Sequence, residues 1–274
     1  MEPLNELIAR HYTRGDLGAA LLAVLGEQAA LPPAALMELL GAVDEFHVGG
    51  PAATIALAED LALQPGQNVL DIGCGLGGTA RLLATRHGVR VTGIDLTAEY
   101  VDVGNSLNAR LGLSGQIDLV CGSALTLPFA ARSFDAATML HVGMNIADKV
   151  ALFVQIASML KPGGQIAIYD IMRTGEGALT FPLPWAGDAS LSFVAAPLDY
   201  RRALTKAGFV VRGQINERER ACAFFTEMAA RAGPAPALGL GVLMGAEAAQ
   251  KLAHIRTQIE AGLLAPIQIL ANLP

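Results

Sequence analysis

Val69-Leu70-Asp71-Ile72-Gly73-Cys74-Gly75-Leu76-Gly77-Gly78 is the stretch that decides the fold. An apolar run broken by glycines predicts a buried strand from Asn68 to Ile72. Gly78 to His87 then reads as a helix. Gly73, Gly75 and Gly78 satisfy G-x-G-x-x-G, which lets backbone turn tightly and approach a ligand closely. A strand-to-helix turn that binds nothing can carry the same spacing, so the glycines alone identify no ligand.

Outward from this turn, strands and helices alternate. Arg90 to Asp95, Gln116 to Cys121 and Phe134 to Leu140 read as strands, with a helix from Ala98 to Leu111. Asp148 to Leu160 is amphipathic, with Val150, Phe153, Val154, Ala157 and Leu160 on one face. Lys161-Pro162-Gly163-Gly164 reads as the turn before a fifth strand, Gln165 to Asp170. Leu198 to Ala207 is a helix, Phe209 to Asn216 a sixth strand and Pro266 to Leu270 a last one. The alternation predicts βαβ units and a parallel sheet.

On the N-terminal side, Asp16 to Glu27, Ala34 to Phe46 and Ala52 to Leu63 read as helices. Arg173 to Pro197 is rich in glycine and proline around Phe181 and Trp185, and reads as a lid-like loop. Cys222 to Ala232 and Ala246 to Ala261 read as helices separated by a Pro/Gly stretch.

Composition narrows the function. Of 274 residues, 53% are hydrophobic and 16% charged, with a formal net charge of −6. The longest stretch free of Asp, Glu, Lys and Arg, Ala232 to Ala246, is broken by prolines and glycines, so no bilayer span of about 20 apolar residues is expected. Met1-Glu2-Pro3-Leu4 lacks the basic start of a signal peptide, and a cytoplasmic location is expected. The acidic balance leaves no footprint for nucleic acid. Three scattered cysteines argue against a disulfide framework. No H-E-x-x-H or C-x-x-C occurs, so no metal is expected.

Two acids sharpen the ligand. Asp71 sits two residues before the first glycine, where a pyrophosphate gains nothing from a negative charge and an ammonium group does. Asp95 closes the second strand, where an acid accepts hydrogen bonds from both hydroxyls of a ribose. The ligand implied is a nucleoside with an amino-bearing tail and no phosphate.

That combination resembles the class I S-adenosylmethionine-dependent methyltransferases, in the small-molecule branch with the ubiquinone C-methyltransferases and glycine/sarcosine N-methyltransferases. Asp71-Ile72-Gly73-Cys74-Gly75 is similar to their first motif, and Asp95 to the acid of the second. Gly122-Ser123-Ala124-Leu125-Thr126-Leu127-Pro128-Phe129 resembles their adenine segment, with Ser123 where Asp is usual. Ser133-Phe134-Asp135-Ala136-Ala137-Thr138 with Leu140-His141, and Leu160-Lys161-Pro162-Gly163-Gly164, resemble two further motifs.

The resemblance implies an α/β fold. Its sheet is Rossmann-like, doubly wound, seven-stranded and mostly parallel, with the last strand antiparallel. Residues 1–61 would form a helical cap and 62–274 the core, with lid and acceptor-pocket insertions at about 173–198 and 219–262. It further implies S-adenosylmethionine as methyl donor, leaving S-adenosylhomocysteine. The expected cofactor residues are Phe46, Asp71, Gly73, Gly75, Asp95, Leu96, Ser123, Ala124, Leu125, Leu140 and Met144. His141, His47 and Asp170 are the catalytic candidates, and Asn145, Tyr169 and Trp185 the substrate-binding ones.

Methyl transfer is an in-line displacement in which the protein mainly aligns the reactants and excludes water. Aliphatic outer helices imply a small, largely apolar or aromatic acceptor, with N, O and C all open as the receiving atom. Those helices wall a dry pocket, meet a second copy, or both. Two other readings stand beside this one. The fold can bind the cofactor for rearrangement or regulation, and the glycine spacing also suits an NAD(P)-dependent oxidoreductase, which Asp71 argues against.

Overall fold

The computed structural model describes residues 3–230 and 238–274. The expected end of the helix at Ala232, and most of the Pro/Gly stretch after it, lie outside those residues. The chain opens with four helices, α1 (Leu4–Tyr12), α2 (Leu17–Leu25), α3 (Pro33–Asp44) and α4 (Gly50–Asp60). The core follows as β1 (Asn68–Ile72), α5 (Gly78–His87), β2 (Arg90–Asp95), α6 (Ala98–Arg110), β3 (Ile117–Cys121), β4 (Phe134–Leu140), α7 (Lys149–Met159) and β5 (Leu160–Arg173). The C-terminal part contributes α8 (Pro197–Lys206), β6 (Val210–Asn216), α9 (Arg218–Ala230), α10 (Gly241–Met244), α11 (Ala248–Glu260) and β7 (Leu264–Asn272).

The seven strands form one sheet in the order β3-β2-β1-β4-β5-β7-β6. Neighbours from β3 to β5 run parallel, while β7 runs antiparallel between β5 and β6. Helices cover both faces, so the inner strands are apolar on both sides. Leu70, Ile72, Ala137, Met139, Ile166 and Ile168 are all essentially inaccessible. Strand order reverses between β1 and β4, and ligands of open α/β sheets bind at that switch point, beyond the carboxyl ends of the strands.

Local chemistry sets the boundaries. Gly77 adopts φ +83° to start α5, and Gly88 adopts φ +67° to end it. The Asp148 carboxylate accepts from the Ala151 N–H at 2.9 Å and caps α7.

Two expectations are corrected. The turn expected at Lys161-Pro162-Gly163-Gly164 lies inside β5, which starts at Leu160 rather than Gln165. Leu160 already pairs with Phe134, and the register then shifts so that Gln165 pairs with Ala136. Gly163 at φ +75° lets the intervening residues bulge out without ending the strand. The first helix is α1 rather than the segment from Asp16. It is short, and only Ile8 of its residues is buried.

The Arg173–Pro197 loop holds a single bridge, Leu183 to Ala186, and a short 3-10 turn at Ala189–Leu191. No helix among the described residues is long and apolar enough to cross a membrane.

Candidate active site

A cavity of about 300 Å³ opens beyond the carboxyl ends of β1, β2 and β4. It falls at the small end of the range for ligand sites. Its floor is the glycine turn and the residues after β2, β3 and β4. Ile8 and Tyr12 of α1, Trp185 of the lid loop, Phe224 and Phe225 of α9, Leu243 of α10 and Ile255 of α11 form much of the remaining wall.

The turn explains its own composition. Gly73 sits at φ +67°, and a Cβ there would lie 2.2 Å from the Val142 Cγ2. Gly75, at φ +53°, would meet nothing within 4 Å, so its backbone faces open cavity. Asp95 ties this turn to β2 by accepting from the Gly75 N–H at 2.9 Å and from the Thr97 N–H at 2.8 Å. Burial raises its pKa, and these N–H donors oppose the rise.

Asp71 is 2% exposed. One oxygen accepts from the Thr138 hydroxyl at 2.7 Å. The other, Oδ2, has no partner among the described residues. Burial pushes its pKa up to about 7, with the Thr138 bond opposing and the neighbouring Glu45 and Asp95 adding. A buried carboxylate oxygen without a donor is costly unless a ligand supplies one. The residues therefore fit a ligand carrying an ammonium group at Asp71. Asp95 retains lone pairs for hydroxyl donors, since each of its oxygens accepts only one of those two N–H bonds.

Gly122, Ser123, Ala124 and Leu125 line the wall after β3. The Ser123 hydroxyl accepts from the Leu125 N–H at 3.2 Å, closing a local turn. Phe46, Leu96, Leu140 and Met144 complete this part of the wall.

The structure brings His47 and His141 together, with ring centroids 5.8 Å apart. His141 has φ +54°, unusual for a side-chain-bearing residue, and its ring stacks on Tyr169 at 5.5 Å. Its Nε2 is enclosed without a partner among the described residues. Burial holds its pKa well below the ordinary value, with His47 adding to the effect, so the ring stays neutral. His47 Nε2 lies 2.6 Å from Glu45 Oε2 and 3.0 Å from the Thr54 hydroxyl oxygen. Thr54 also donates to that carboxylate oxygen at 2.7 Å. Burial works to raise the Glu45 pKa, yet the His47 and threonine bonds outweigh it and hold the pKa low.

Two expected site residues stand behind the wall instead. Asp170 is fully buried, accepting from the Val142 N–H at 2.8 Å, the Gly143 N–H at 3.0 Å and the Tyr200 hydroxyl at 2.8 Å. Burial lifts its pKa to about 6, with these donors opposing. It braces the segment carrying His141 and does not face the cavity. Tyr169 backs the two histidine rings.

Asn145 lines the cavity, but its amide is occupied in closing the lid. It accepts from the Tyr12 hydroxyl at 2.7 Å and donates to the Trp185 carbonyl at 2.8 Å. His11 and His254, which carried no signal in the sequence, meet the Pro184 and Pro182 carbonyls at 3.1 and 3.0 Å. Sequence reasoning also missed Glu45, Tyr12 and Tyr100. Glu45-x-His47 was the one available signal, since alternate residues of a loop can share a face. Among the described residues no group of His, Cys, Asp and Glu is placed to hold a metal.

Residues 69–164 match a family model described as a methyltransferase domain. The chain is 28% identical over 217 residues to the O-methyltransferase cnsE of Penicillium expansum, a match covering 78% of this chain and 74% of that one. It is 33% identical over 128 residues to the O-methyltransferase rstn1 of Aspergillus nomiae, covering 47% of this chain and 57% of the relative. The chain spans about half the length of the first curated relatives it matches.

Among solved structures, the geranyl diphosphate C-methyltransferase of Streptomyces coelicolor superposes with a TM-score of 0.72 at 21% identity, over 100% of this chain and 98% of that one. The [4+2]-cyclase SpnF superposes with a TM-score of 0.71 at 22% identity, over 99% and 97%. These likenesses establish the fold.

Proposed function

From a chain whose residues 69–164 match a methyltransferase domain, we propose that this protein is a class I S-adenosylmethionine-dependent enzyme that transfers a methyl group to a small, largely apolar or aromatic metabolite. The observation that carries the reading is the pair of acids, buried Asp71 and half-buried Asp95, in one cavity behind the glycine turn. Asp71, with its unpartnered Oδ2, would hold the ammonium group of S-adenosylmethionine. Asp95 would accept from the ribose hydroxyls, and residues 122–125 would wall the adenine. When bound, the cofactor supplies a methyl carbon already activated by a positively charged sulfur.

The chain's own contribution is alignment and dryness. Lid, α1 and α9 close the acceptor side with Trp185, Ile8, Phe224 and Phe225. The Tyr12–Asn145–Trp185 bonds hold that closure. Excluding water strengthens the interactions inside and keeps the acceptor in line. Asp170 serves through the backbone it holds.

Residues 1–61 act as a cap, and the segments near 173–198 and 219–262 shape the acceptor pocket. The reading places the protein in cytoplasmic small-molecule metabolism.

The test is calorimetric titration with S-adenosylhomocysteine, followed by methyl transfer to a panel of aromatic metabolites. Micromolar binding that is lost in Asp95→Ala, with methylated product from the parent, is expected. Tighter binding of NADH than of S-adenosylhomocysteine would refute the reading. A second reading is a rearrangement on the same fold, suggested by the apolar acceptor half and the likeness to SpnF. Turnover that persists with S-adenosylhomocysteine in place of the methyl donor selects it.

A further inference from the structure

Arg81 lies in the first turn of α5, fully buried, and does not line the cavity. Its guanidinium joins three elements. Nε and Nη2 meet Oδ2 of Asp44, the last residue of α3, at 3.3 and 2.8 Å. Nη2 also donates to the Leu76 carbonyl of the glycine turn at 2.7 Å. Nη1 donates to the Asn108 side-chain oxygen on α6 at 2.7 Å.

Neither charge of the Asp44–Arg81 pair serves its own helix. Arg81 puts a cation at the positive N-terminal end of α5, and Asp44 puts an acid at the negative C-terminal end of α3. A buried ion pair adds little stability over an apolar pair of the same shape. What it supplies here is register between the two helices. The backbone shows the same close fit. A Cβ on Gly78, the first residue of α5, would lie 2.5 Å from the Asp44 Cβ and 2.6 Å from its carbonyl oxygen. Glycine thus lets the end of α3 sit flush on the start of α5. Gly78 does not line the cavity either.

This register places part of the cavity wall. Asp44, Phe46, His47 and Val48, from the end of α3 and the loop after it, share the cavity with Gly73, Gly75 and Leu76 of the glycine turn. Asp44 belongs to both sides of the junction. Its Oδ2 holds Arg81, while its Oδ1 is enclosed without a partner among the described residues. A ligand seated on the glycine turn therefore meets the second wall only when α3 is docked.

We propose that Arg81 couples docking of the N-terminal cap to cofactor binding, by holding Asp44 of α3 and the Leu76 carbonyl of the glycine turn on one guanidinium. This rests on the reading above that S-adenosylmethionine fills the cavity. Arg81 touches neither ligand nor reacting atoms and is a positioning residue. The contacts that the ligand makes only with the docked cap are the differential interaction that a coupling needs. By linkage, the factor by which docking tightens the ligand equals the factor by which the ligand favours docking.

The experiment compares the parent with Arg81→Met, Asp44→Leu, the double variant Arg81→Met/Asp44→Leu, and Gly78→Ala. Each is titrated calorimetrically with S-adenosylhomocysteine and melted. Amide hydrogen exchange of α3 is followed with and without S-adenosylhomocysteine, with β1 as internal reference. Each single change in the pair leaves a buried charge alone and lowers Tm. The double variant removes both charges, keeps the branched shape of Asp44 in Leu, and regains the parent Tm to within a few degrees. Gly78→Ala keeps both charges and pushes α3 off α5.

In the parent, S-adenosylhomocysteine slows exchange in α3 about 10-fold or more, within the usual range of coupling between sites. Arg81→Met, the double variant and Gly78→Ala lose that slowing, and their affinity falls by a similar factor although neither Arg81 nor Gly78 lines the cavity. KM for S-adenosylmethionine rises with it, and kcat stays within a few-fold. A double variant that regains Tm and keeps the parent's affinity shows a merely structural pair and overturns the proposal. Equal slowing of α3 exchange in the parent and Gly78→Ala overturns it too, and decides the matter should the double variant not fold. So does a parent that binds S-adenosylhomocysteine with no slowing in α3. A parent that binds no S-adenosylhomocysteine refutes the cofactor reading itself, a separate failure that takes this inference with it.

Discussion

Asp71→Asn separates what this acid does for a ligand from what it costs the fold. Burial raises the folded pKa from 3.8 to about 7. An acid whose pKa rises on folding holds its proton more tightly in the folded chain. Its contribution to stability is complete below 3.8 and is lost as pH climbs through about 7. That rise of about three units corresponds to roughly 4 kcal/mol. Asn carries no charge and keeps an oxygen for the Thr138 hydroxyl, but its Nδ2 then lacks a partner, a penalty of about 1–3 kcal/mol. At pH 8 the variant should be about 1–3 kcal/mol more stable than the parent, raising Tm by several degrees. Near pH 4 the folded parent's acid is protonated and the unfolded one is only about half ionised, so the gain falls below about 1 kcal/mol and the variant becomes the less stable. S-adenosylhomocysteine should raise the parent's Tm by mass action and leave the variant's unmoved. Differential scanning calorimetry at pH 4, 6 and 8, with and without S-adenosylhomocysteine, reads both effects. A variant that melts below the parent at pH 8, or whose Tm difference is the same at every pH, refutes the reasoning.

Gly73→Ala should abolish S-adenosylhomocysteine binding and destabilise the fold by about 1–3 kcal/mol, because its Cβ would strike Val142 and its φ is positive. Calorimetric titration and thermal melting check it. Asp170→Asn leaves three donors facing one oxygen in place of two, and should cost about 2–4 kcal/mol in urea unfolding, with a lower kcat from the displaced His141 segment. Tyr12→Phe removes one hydrogen bond from the lid and should cost about 1 kcal/mol of closure, seen as a several-fold higher KM and faster proteolysis within α1. Unchanged KM and unchanged cleavage would show that the bond does not hold the lid.

Much of the fold was legible because strand burial is written in local composition. Val69 to Ile72 and the runs ending at Asp95 and Leu140 are apolar on both faces, as only strands covered on both sides can be. Leu160 to Gly164 misled because proline and glycine normally end structure. Here the pairing of Leu160 with Phe134 outweighed that local preference. Helix α1 was missed because nine residues with one buried side chain carry little periodic signal.

The site divides along the same line. Asp71, the glycines and Asp95 could be read directly, since close backbone approach and charge at strand ends constrain residue type locally. Asp170 was misplaced because alternation along β5 decides which face its carboxylate meets, and that face holds Tyr200 and the Val142 and Gly143 amides. Tyr12 and Asn145 lie 133 residues apart, His11 and Pro184 173, and His254 and Pro182 72, and no local pattern couples such positions.

The amino-acid sequence by itself therefore determined the α/β core, its glycine turn and the acids that choose a cationic nucleoside ligand, because backbone conformation, burial and charge are properties of neighbouring residues. Only the tertiary structure decided which side chains share the dry cavity, that Glu45 stands behind His47, and that Asp170 turns away from it. Those facts depend on how helices from both ends of the chain pack over one switch point in the sheet, and packing is a property of the whole chain.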